Sequence, residues 1–326
     1  MKNNNNMKNK LFKIFMIIFL LFPCSLTACK KENTLIDLSP LSVYVLDGAS
    51  VISSVNLQNK RVFDKSINVT VVKSEQSLQT ALLNGSADMA IMPINLAGIL
   101  NAKGEDVKLI SVNTFGCLYI VGKNEISSLK ELVNKKVAVA GIDGTPAVAL
   151  RHLLELDKIP FSSNEEEGRI TLNYLDSSQI LNYLQEGKVD YALLDEPLIF
   201  KATKQDPNLK LSINLCDLWK QKEDSLYVQS GLCARGEFIK NHFELVEGVY
   251  QYLNFNESFV YQNKSKINSL IAGNSDLKTI EFTSSVLDRC NLGCKTVFEV
   301  KNDVEKYLSI LKINYKDSLF YRLTER

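Results

Sequence analysis

The feature that most constrains the fold of this chain is an internal repeat. Segments 85–90 (GSADMA) and 187–192 (GKVDYA) share Gly, Asp and Ala at matched positions, 102 residues apart. Apolar residues recur at helical spacing before each glycine, and a short apolar run follows each aspartate. Glycine at a helix end readily takes the left-handed conformation. The repeat therefore predicts that a helix, a glycine stop and a buried strand occur twice.

The sequence upstream extends each copy of the repeat. The first copy predicts strand Ser42–Leu46, a turn at Asp47-Gly48, a helix from Ser50 and strand Ile67–Val72; the second predicts strand Lys136–Ala140, a turn over 141–144, a helix from Pro146 and strand Ile170–Leu175. A β-α-β-α-β order implies parallel strands with right-handed crossovers. The predicted fold class is α/β, with two Rossmann-like lobes and a ligand cleft where the carboxyl ends of their strands face each other.

The N-terminus has the pattern of a signal peptide. Four lysines (Lys2, Lys8, Lys10 and Lys13) precede the apolar run Ile14–Phe22, which is too short to span a bilayer. We predict a signal peptide over 1–28. The Leu26–Cys29 segment (LTAC) that follows resembles the bacterial lipobox, so Cys29 is the expected lipidation site, and polar residues 29–37 form a tether.

The composition argues against nucleic acid as a partner and gives no sign of a cofactor. The 326 residues carry 38 basic and 37 acidic side chains, so the chain has no basic excess for binding nucleic acid. Beyond Cys24 and Cys29, five cysteines remain, of which Cys290 and Cys294 either form a disulfide or stay free thiols like the others. With two histidines, His152 and His242, we predict neither a metal site nor a cofactor.

The loops at the predicted cleft carry the candidate ligand residues. Gly144-Thr145-Pro146 and the segment 47–50 (Asp47, Gly48, Ala49, Ser50) both start a helix after a strand, with Thr145 as the expected N-cap and Pro146 as the first helical residue. Free N–H groups at a helix start bind acceptors and anions.

Four further residues follow predicted strands. Asn95 either binds ligand or caps a helix over 96–100, and Glu196 either binds ligand or forms an internal salt bridge. Thr114 and Phe115 follow the predicted strand Leu109–Val112, where Phe115 can stack on a planar ligand.

Three enzymatic patterns fail on inspection. No Gly-Lys-Ser/Thr follows Gly144, so the turn is not a P-loop. Asp143-Gly144-Thr145 partly matches haloacid dehalogenase-type phosphatases, but their nucleophilic aspartate would fall at Gly141. The two histidines suggest no Ser-His-Asp arrangement. The sequence therefore gives no candidate catalytic residues.

Together these motifs resemble ABC-importer solute-binding proteins of the nitrate/sulfonate/taurine and thiamine-pyrimidine-precursor type. The resemblance rests on the lipobox, Asp47-Gly48-Ala49, Gly85-x-x-Asp88-x-Ala90-x-x-Pro93, Thr114-Phe115-Gly116-x-Leu118-Tyr119, the segment 126–139, Gly144-Thr145-Pro146 and Glu196-Pro197. It covers roughly residues 38–260 and implies the type II periplasmic-binding-protein fold. The expected lobes are 38–121 with 232–326, and 122–231, with crossings near Val121–Lys123 and Val228–Leu232.

The resemblance also implies a function. The chain is expected to be a monomeric, extracytoplasmic lipoprotein that captures a small solute and delivers it to an ABC permease. The cleft loops carry acids and no arginine, which favours a planar amine such as a thiamine pyrimidine precursor. Alternatives are a receptor for nitrate, sulfonate or taurine, an enzyme on the same fold (a pyrimidine-precursor synthase or a menaquinone-pathway lyase), and a surface adhesin.

Overall fold

A computed structural model describes residues 39–271, 273 and 275–323 of the protein. The predicted signal peptide, Cys29 and the tether lie outside the described residues. Within them, every helix is too short or too polar to cross a bilayer.

Strands and helices alternate along most of the chain. The strands are β1 Leu41–Leu46, β2 Arg61–Val62, β3 Lys65–Val72, β4 Met89–Pro93, β5 Val107–Thr114, β6 Tyr119–Gly122, β7 Lys136–Ala140, β8 Phe161–Ser162, β9 Ile170–Leu175, β10 Tyr191–Leu194, β11 Lys210–Asn214, β12 Ser230–Arg235 and β13 Leu292–Thr296. The α-helices are α1 Ala49–Ile52, α2 Glu75–Leu83, α3 Ile94–Ala102, α4 Thr145–Leu156, α5 Ser177–Gln185, α6 Leu198–Gln205, α7 Leu215–Glu223, α8 Gly236–Asn241, α9 Phe243–Asn254, α10 Asn256–Gln262, α11 Ile267–Leu270, α12 Ser284–Arg289 and α13 Lys301–Ile310. Short 3-10 turns lie at Val55–Leu57, Leu129–Leu132, Lys264–Lys266, Asp276–Thr279 and Asp317–Leu319.

The strands form two sheets with matching order. The first lobe is built on the seven-stranded sheet β13-β5-β12-β4-β1-β3-β2, and the second lobe on the six-stranded sheet β11-β6-β10-β7-β9-β8. In the first, Val43 of β1 pairs in parallel with Val69 and Met89. In the second, Val137 of β7 pairs in parallel with Leu172 and Tyr191. The predicted two-lobed α/β fold is confirmed.

The repeated glycine and aspartate have the same structural role in both lobes. Gly85 and Gly187 end their helices with φ of +85° and +68°. Asp88 Oδ2 accepts a hydrogen bond from the Ser42 N–H at 2.8 Å, and Asp190 Oδ2 accepts one from the Lys136 N–H, also at 2.8 Å. Each aspartate thus fixes the start of its own strand against the neighbouring parallel strand.

The chain passes from the first lobe to the second and back again, and the first strand after each crossing, β6 and then β12, joins the sheet of the lobe that it enters. β12 is antiparallel to both β4 and β5, and β6 is antiparallel to both β10 and β11. Because Tyr119–Gly122 already belongs to the second sheet, the first crossing lies at 115–118 and not near Val121–Lys123 as expected. The chain has rejoined the first sheet at Ser230. The strand bounds therefore move the expected domain boundaries by a few residues.

The lobes share a hydrophobic core on one side of the crossings. Leu308 of α13 packs beside Gly98 of α3 in the first lobe. Tyr307, its neighbour, has ring contacts with Trp219 of α7 and with Tyr227, at centroid distances of 6.2 and 5.3 Å. Helix α13 is therefore packed against both lobes.

Candidate functional site

The carboxyl ends of the parallel strands of both lobes meet at the first crossing. β5 ends at Thr114, and after four intervening residues β6 begins at Tyr119, opposite Leu194 at the end of β10. The ends of β1 and β4 lie at the same edge of the first sheet as Thr114. The topology thus brings the predicted ligand loops of the two lobes to facing edges.

A buried hydroxyl network lies at the first-lobe edge. Ser50 Oγ donates to Ser230 Oγ at 3.1 Å, and Ser230 Oγ is 2.6 Å from Thr114 Oγ1. The Ser230 N–H also donates to Thr114 Oγ1, at 3.1 Å. Ser50 and Thr114 are therefore brought together, and Ser230 joins them. Thr114 lies inside β5, since this strand extends two residues beyond the predicted end at Val112.

Asp47 is held by its own lobe. Its carboxylate is 2.5 Å from Lys73 Nζ, and it accepts hydrogen bonds from Ser275 Oγ and from the Asp276 N–H. Burial alone would raise the pKa of Asp47, but these hydrogen bonds outweigh it and lower the pKa. Gly48, at φ +120°, turns the chain into the single-turn helix that begins at Ala49. The Asp47 carboxylate thus already has hydrogen-bond and charge partners within its own lobe.

The start of α4 in the second lobe differs in detail from the prediction. The N-cap residue is Gly144, and Thr145 is the first helical residue, so Thr145 does not cap the helix and Pro146 is in the second position. Thr145 instead lies beside the phenolic oxygen of Tyr307 from the first lobe, and its interaction slightly opposes the effect of burial on the pKa of Tyr307. Burial raises the pKa of Tyr307 to about 12, so it stays neutral.

Glu196 forms an ion pair between the lobes. Its side chain is 1 % exposed, and its Oε1 lies 2.6 Å from both Nε and Nη2 of Arg289, the last residue of α12. Its Oε2 accepts a hydrogen bond from the Phe200 N–H at 3.1 Å. Burial raises the pKa of Glu196, while the Arg289 charge opposes that shift. Both carboxylate oxygens therefore have protein partners, which is the internal salt bridge that the sequence left open.

Asp195 is a carboxylate at this edge without a cation. It follows β10 directly, is half-buried, and within the described part of the chain forms no ion pair. Burial raises the pKa of Asp195 to about 6, and the neighbouring charge of Glu196 adds to the shift. A ligand with a positively charged or strongly donating nitrogen would satisfy this group.

Asn95 and Phe115 occupy different surroundings. Asn95 is the second residue of α3, whose N-cap is Pro93, so it does not cap that helix as we had considered. Its amide has no hydrogen-bond partner among the described residues.

Phe115 lines a cavity of about 380 Å³ between the lobes. The other lining residues are Cys216, Asp217, Lys220, Leu226, Tyr227, Glu257, Asn291, Leu292, Gly293, Cys294 and Lys295.

Comparison with known proteins identifies the family. The model of the NMT1/THI5-like family matches residues 63–267, more than half of the chain. The chain belongs to the NMT1/THI5-like family. No curated protein matches it significantly in sequence.

Solved structures share the fold of this NMT1/THI5-like chain at low sequence identity. An ABC transporter from Parabacteroides distasonis is 21 % identical with a TM-score of 0.68, over 86 % of this chain and 94 % of that one. The periplasmic aliphatic sulphonate binding protein SsuA from Escherichia coli is 16 % identical with a TM-score of 0.66, over 88 % and 94 %. The alkanesulfonate-binding protein SsuA from Xanthomonas axonopodis pv. citri, bound to MOPS, is 15 % identical with a TM-score of 0.56, over 87 % and 99 %. The expected family resemblance is confirmed by the family model, and the expected fold by these structures.

The cysteines of this NMT1/THI5-like chain are reduced in the described residues. Cys117, Cys216, Cys233 and Cys290 are buried thiols, and Cys294 is half-buried in β13. Cys290 and Cys294 are not bonded to each other, so the disulfide alternative does not hold. Burial raises the pKa of Cys216 and Cys294 to about 12. No cluster of metal-ligating side chains is found in the part of the chain that the structure describes.

Sequence reasoning missed three residues of the site. Ser230 joins Ser50 to Thr114, Arg289 neutralises Glu196, and Tyr307 lies beside Thr145. Each lies more than 90 residues from the partner that it contacts, so no local spacing links the two. The one sequence feature that could have identified any of them was the position of Ser230 within the expected second crossing, Val228–Leu232.

Proposed function

We propose that this protein is the solute-binding component of an ABC importer, anchored outside the cytoplasm by lipid on Cys29. It captures a small solute between its two lobes as a monomer and passes it to a membrane permease. It acts by binding and not by catalysis, through exchange between open and closed arrangements that the solute shifts toward the closed one.

The observation that carries this proposal is that both lobes place polar groups at strand ends that meet at the first crossing. The first lobe contributes the Ser50, Ser230 and Thr114 hydroxyls, and the second contributes Asp195 and the start of α4. Open α/β sheets bind ligands at the carboxyl ends of their strands. Contacts from both lobes are what a solute needs to favour the closed arrangement.

We propose a planar amine, such as a pyrimidine precursor of thiamine, as the solute. Asp195 supports this choice, because a half-buried carboxylate without a protein cation is stabilised by a cationic or donating nitrogen. Membership of the NMT1/THI5-like family supports the same choice. Asn95 and Gly144 to Pro146 would supply polar contacts, and Phe115 an aromatic face.

A second candidate, a receptor for a sulfonate or another oxyanion, is favoured by Arg289. The sequence loops offered no arginine, but α12 places this guanidinium at the junction of the lobes. An anion could bind it only by displacing Glu196, whose carboxylate then loses its charge partner. The solved SsuA proteins, named for sulfonate binding, share this fold.

Thermal unfolding with a panel of solutes tests the proposal. Aminopyrimidines and thiamine represent one class, and nitrate, taurine and alkylsulfonates the other. A solute at 100 times its Kd should stabilise the protein by about 2.7 kcal/mol. Asp195→Asn should remove the response to an aminopyrimidine, while the control Glu167→Gln, at an exposed carboxylate of the second lobe that precedes β9 and so lies at the opposite edge of the sheet, should retain it. No response to any solute would contradict the receptor function.

Metabolic labelling tests the anchor. Palmitate should be incorporated into the native chain and not into Cys29→Ser. An unlabelled native chain would refute the lipid anchor without bearing on solute binding.

A further inference from the structure

The most exposed large apolar side chain of the described residues is at the tip of a hairpin. Phe63 lies between β2 and β3 and is 71 % exposed. Its φ is +50°, a backbone conformation that bulky side chains rarely adopt. An exposed aromatic ring held at such an angle is unfavourable for an isolated molecule in water, and such outliers are reasons to look for a function.

The hairpin is fixed to the body of the first lobe. Val62, next to Phe63, packs against Gly248 of α9 so closely that an added Cβ there would lie 2.4 Å from Val62 Cγ1. The Tyr252 hydroxyl, one turn further along α9, donates to the Arg61 carbonyl at 2.9 Å. The phenyl ring therefore projects from a rigid support.

The same hairpin lies beside the start of the described chain. Lys65 Nζ, two residues after Phe63, donates to the Ser39 carbonyl at 3.1 Å. Cys29 is ten residues before Ser39, so its Cα can be at most about 35 Å away even when the intervening chain is fully extended. A bilayer that holds Cys29 therefore lies within that distance of Ser39, which is close enough for the Phe63 hairpin to contact it.

We propose that the Phe63 hairpin docks the first lobe on the lipid bilayer, with the phenyl ring in the interfacial region. This rests on the lipid anchor of the proposed function. Anchoring makes contact with the bilayer intramolecular, so one aromatic side chain is enough to bias the orientation. Lys60 and Arg61 favour anionic headgroups, but Glu244 and Glu247 lie beside them, so the ring supplies the main attraction.

Docking in this way gives the protein an orientation. β1 and β3 are parallel and start at Leu41 and Lys65, on the hairpin side, and they end at the edge that carries the ligand loops. A first lobe resting on Phe63 therefore presents the cleft away from its own anchor. Solute capture would occur in this orientation, and release of the hairpin would precede contact with a permease.

Fluorescence of Phe63→Trp tests the proposal. The chain has one tryptophan, Trp219, which is buried and gives a constant background. On vesicles of phosphatidylcholine and phosphatidylglycerol with brominated acyl chains, Trp at position 63 should lose about half of its emission, because interfacial residues lie about 5–10 Å into the headgroup region. The matched control is Ile142→Trp, at a position that is 55 % exposed and at the strand edge of the second lobe. Its emission should be unchanged.

Attaching the protein to vesicles in two different ways tests bilayer docking independently of the lipid anchor. One arm uses the native lipidated protein, and the other uses the full mature chain with Cys29→Ser and an N-terminal histidine tag on vesicles containing a nickel-chelating lipid. Quenching in both arms supports the proposal. Quenching only on the chelating lipid supports the hairpin and refutes native lipidation. No quenching in the chelator arm, or an emission shift that depends on protein concentration and not on lipid, overturns bilayer docking.

Discussion

At the scale of single residues, the two adjacent carboxylates of the site, Asp195 and Glu196, have different surroundings. Glu196 is neutralised by Arg289 and accepts from the Phe200 N–H, whereas Asp195 has no cation beside it in the described structure. Removing one partner of a buried ion pair leaves an uncompensated charge, which costs about 3–5 kcal/mol. Glu196 is therefore needed for the packing of the lobes, and Asp195 is the better candidate for solute recognition.

Asp195 should make the stability of the protein depend on pH. Because its pKa is raised from 3.8 to about 6, the folded state binds the proton more tightly than the unfolded state. Its contribution is complete below about pH 4 and is lost as the pH rises through 6, by up to about 3 kcal/mol. Urea unfolding between pH 4 and 7 should show a flatter profile for Asp195→Asn, with higher stability at pH 7.

Asp143→Asn is the matched control for that measurement, since Asp143 is exposed on the same lobe. Parallel profiles for wild type and Asp195→Asn would contradict the assignment.

Residue identities in the site were predictable where they followed a strand, and not where they depended on a distant partner. The sequence placed Ser50, Thr114, Thr145 and Glu196 at strand ends because the repeat located those ends. It could not assign what each side chain contacts. Arg289 reaches Glu196 only because α12 packs near the end of β10, and that packing depends on residues far along the chain.

At the scale of elements, the first crossing depends on a glycine. Gly116 has a φ of +83°, and a Cβ there would lie 2.5 Å from both Cys216 Sγ and Tyr227 Cδ1. The side chains that block it belong to α7 and to the segment that returns to the first lobe. The crossing can therefore take this path only without a side chain at position 116.

Gly116→Ala and Gly168→Ala should separate crowding from backbone strain. Gly168 also has a positive φ, +77°, but nothing lies within 4 Å of its added Cβ. Strain alone should cost Gly168→Ala about 1–2 kcal/mol. Gly116→Ala should lose a further ~1–3 kcal/mol through overpacking. Equal free energies of unfolding in urea for the two variants would contradict the crowding at Gly116.

Elements within the repeat were predicted closely, and elements outside it were not. β7 and β9 have the predicted bounds, because Gly141 directly follows β7 and Gly168 lies two residues before β9. The crossing was misplaced by a few residues because β6 reads as a strand in either lobe, and only its pairing with β10 and β11 decides between them. Local patterns carry no information about that choice.

At the scale of the whole molecule, ion pairs join the lobes on both sides of the shared core. Arg289 pairs with Glu196, and Lys306 of α13 pairs with Glu223 of α7 at 2.7 Å. Glu223 Oε1 is also 2.7 Å from His152 Nε2. Because α13 is further fixed by the ring contacts of Tyr307, we predict that the lobes separate on the Arg289 side.

The double variant Glu196→Gln/Arg289→Met should shift the solute-free protein toward an open arrangement. Replacing both partners avoids an unpaired buried charge. Each 1.4 kcal/mol that the pair contributes to closure should change the open population about tenfold, and solute affinity should fall accordingly. Small-angle X-ray scattering should show a larger radius of gyration without solute, and recovery of the wild-type value with it.

Asp157→Asn/Lys222→Met is the control for this experiment, because that ion pair lies within the second lobe. It should leave the scattering profile unchanged. A double variant with wild-type scattering and affinity would show that the Arg289 pair has no part in closure.

The position of β12, which joins the first sheet after the second crossing, has a consequence for folding during synthesis. β12 separates β4 from β5, so hydrogen bonding of the central first sheet is incomplete until residue 235 has been synthesised, more than 120 residues after the end of β5. Until then the nascent chain has one partial sheet, β4-β1-β3-β2, with a bare edge at β4, and an unpaired strand β5, a state that favours aggregation and is recognised by chaperones. A polypeptide that must be exported unfolded gains from this delay, since its tertiary structure is completed late in translation.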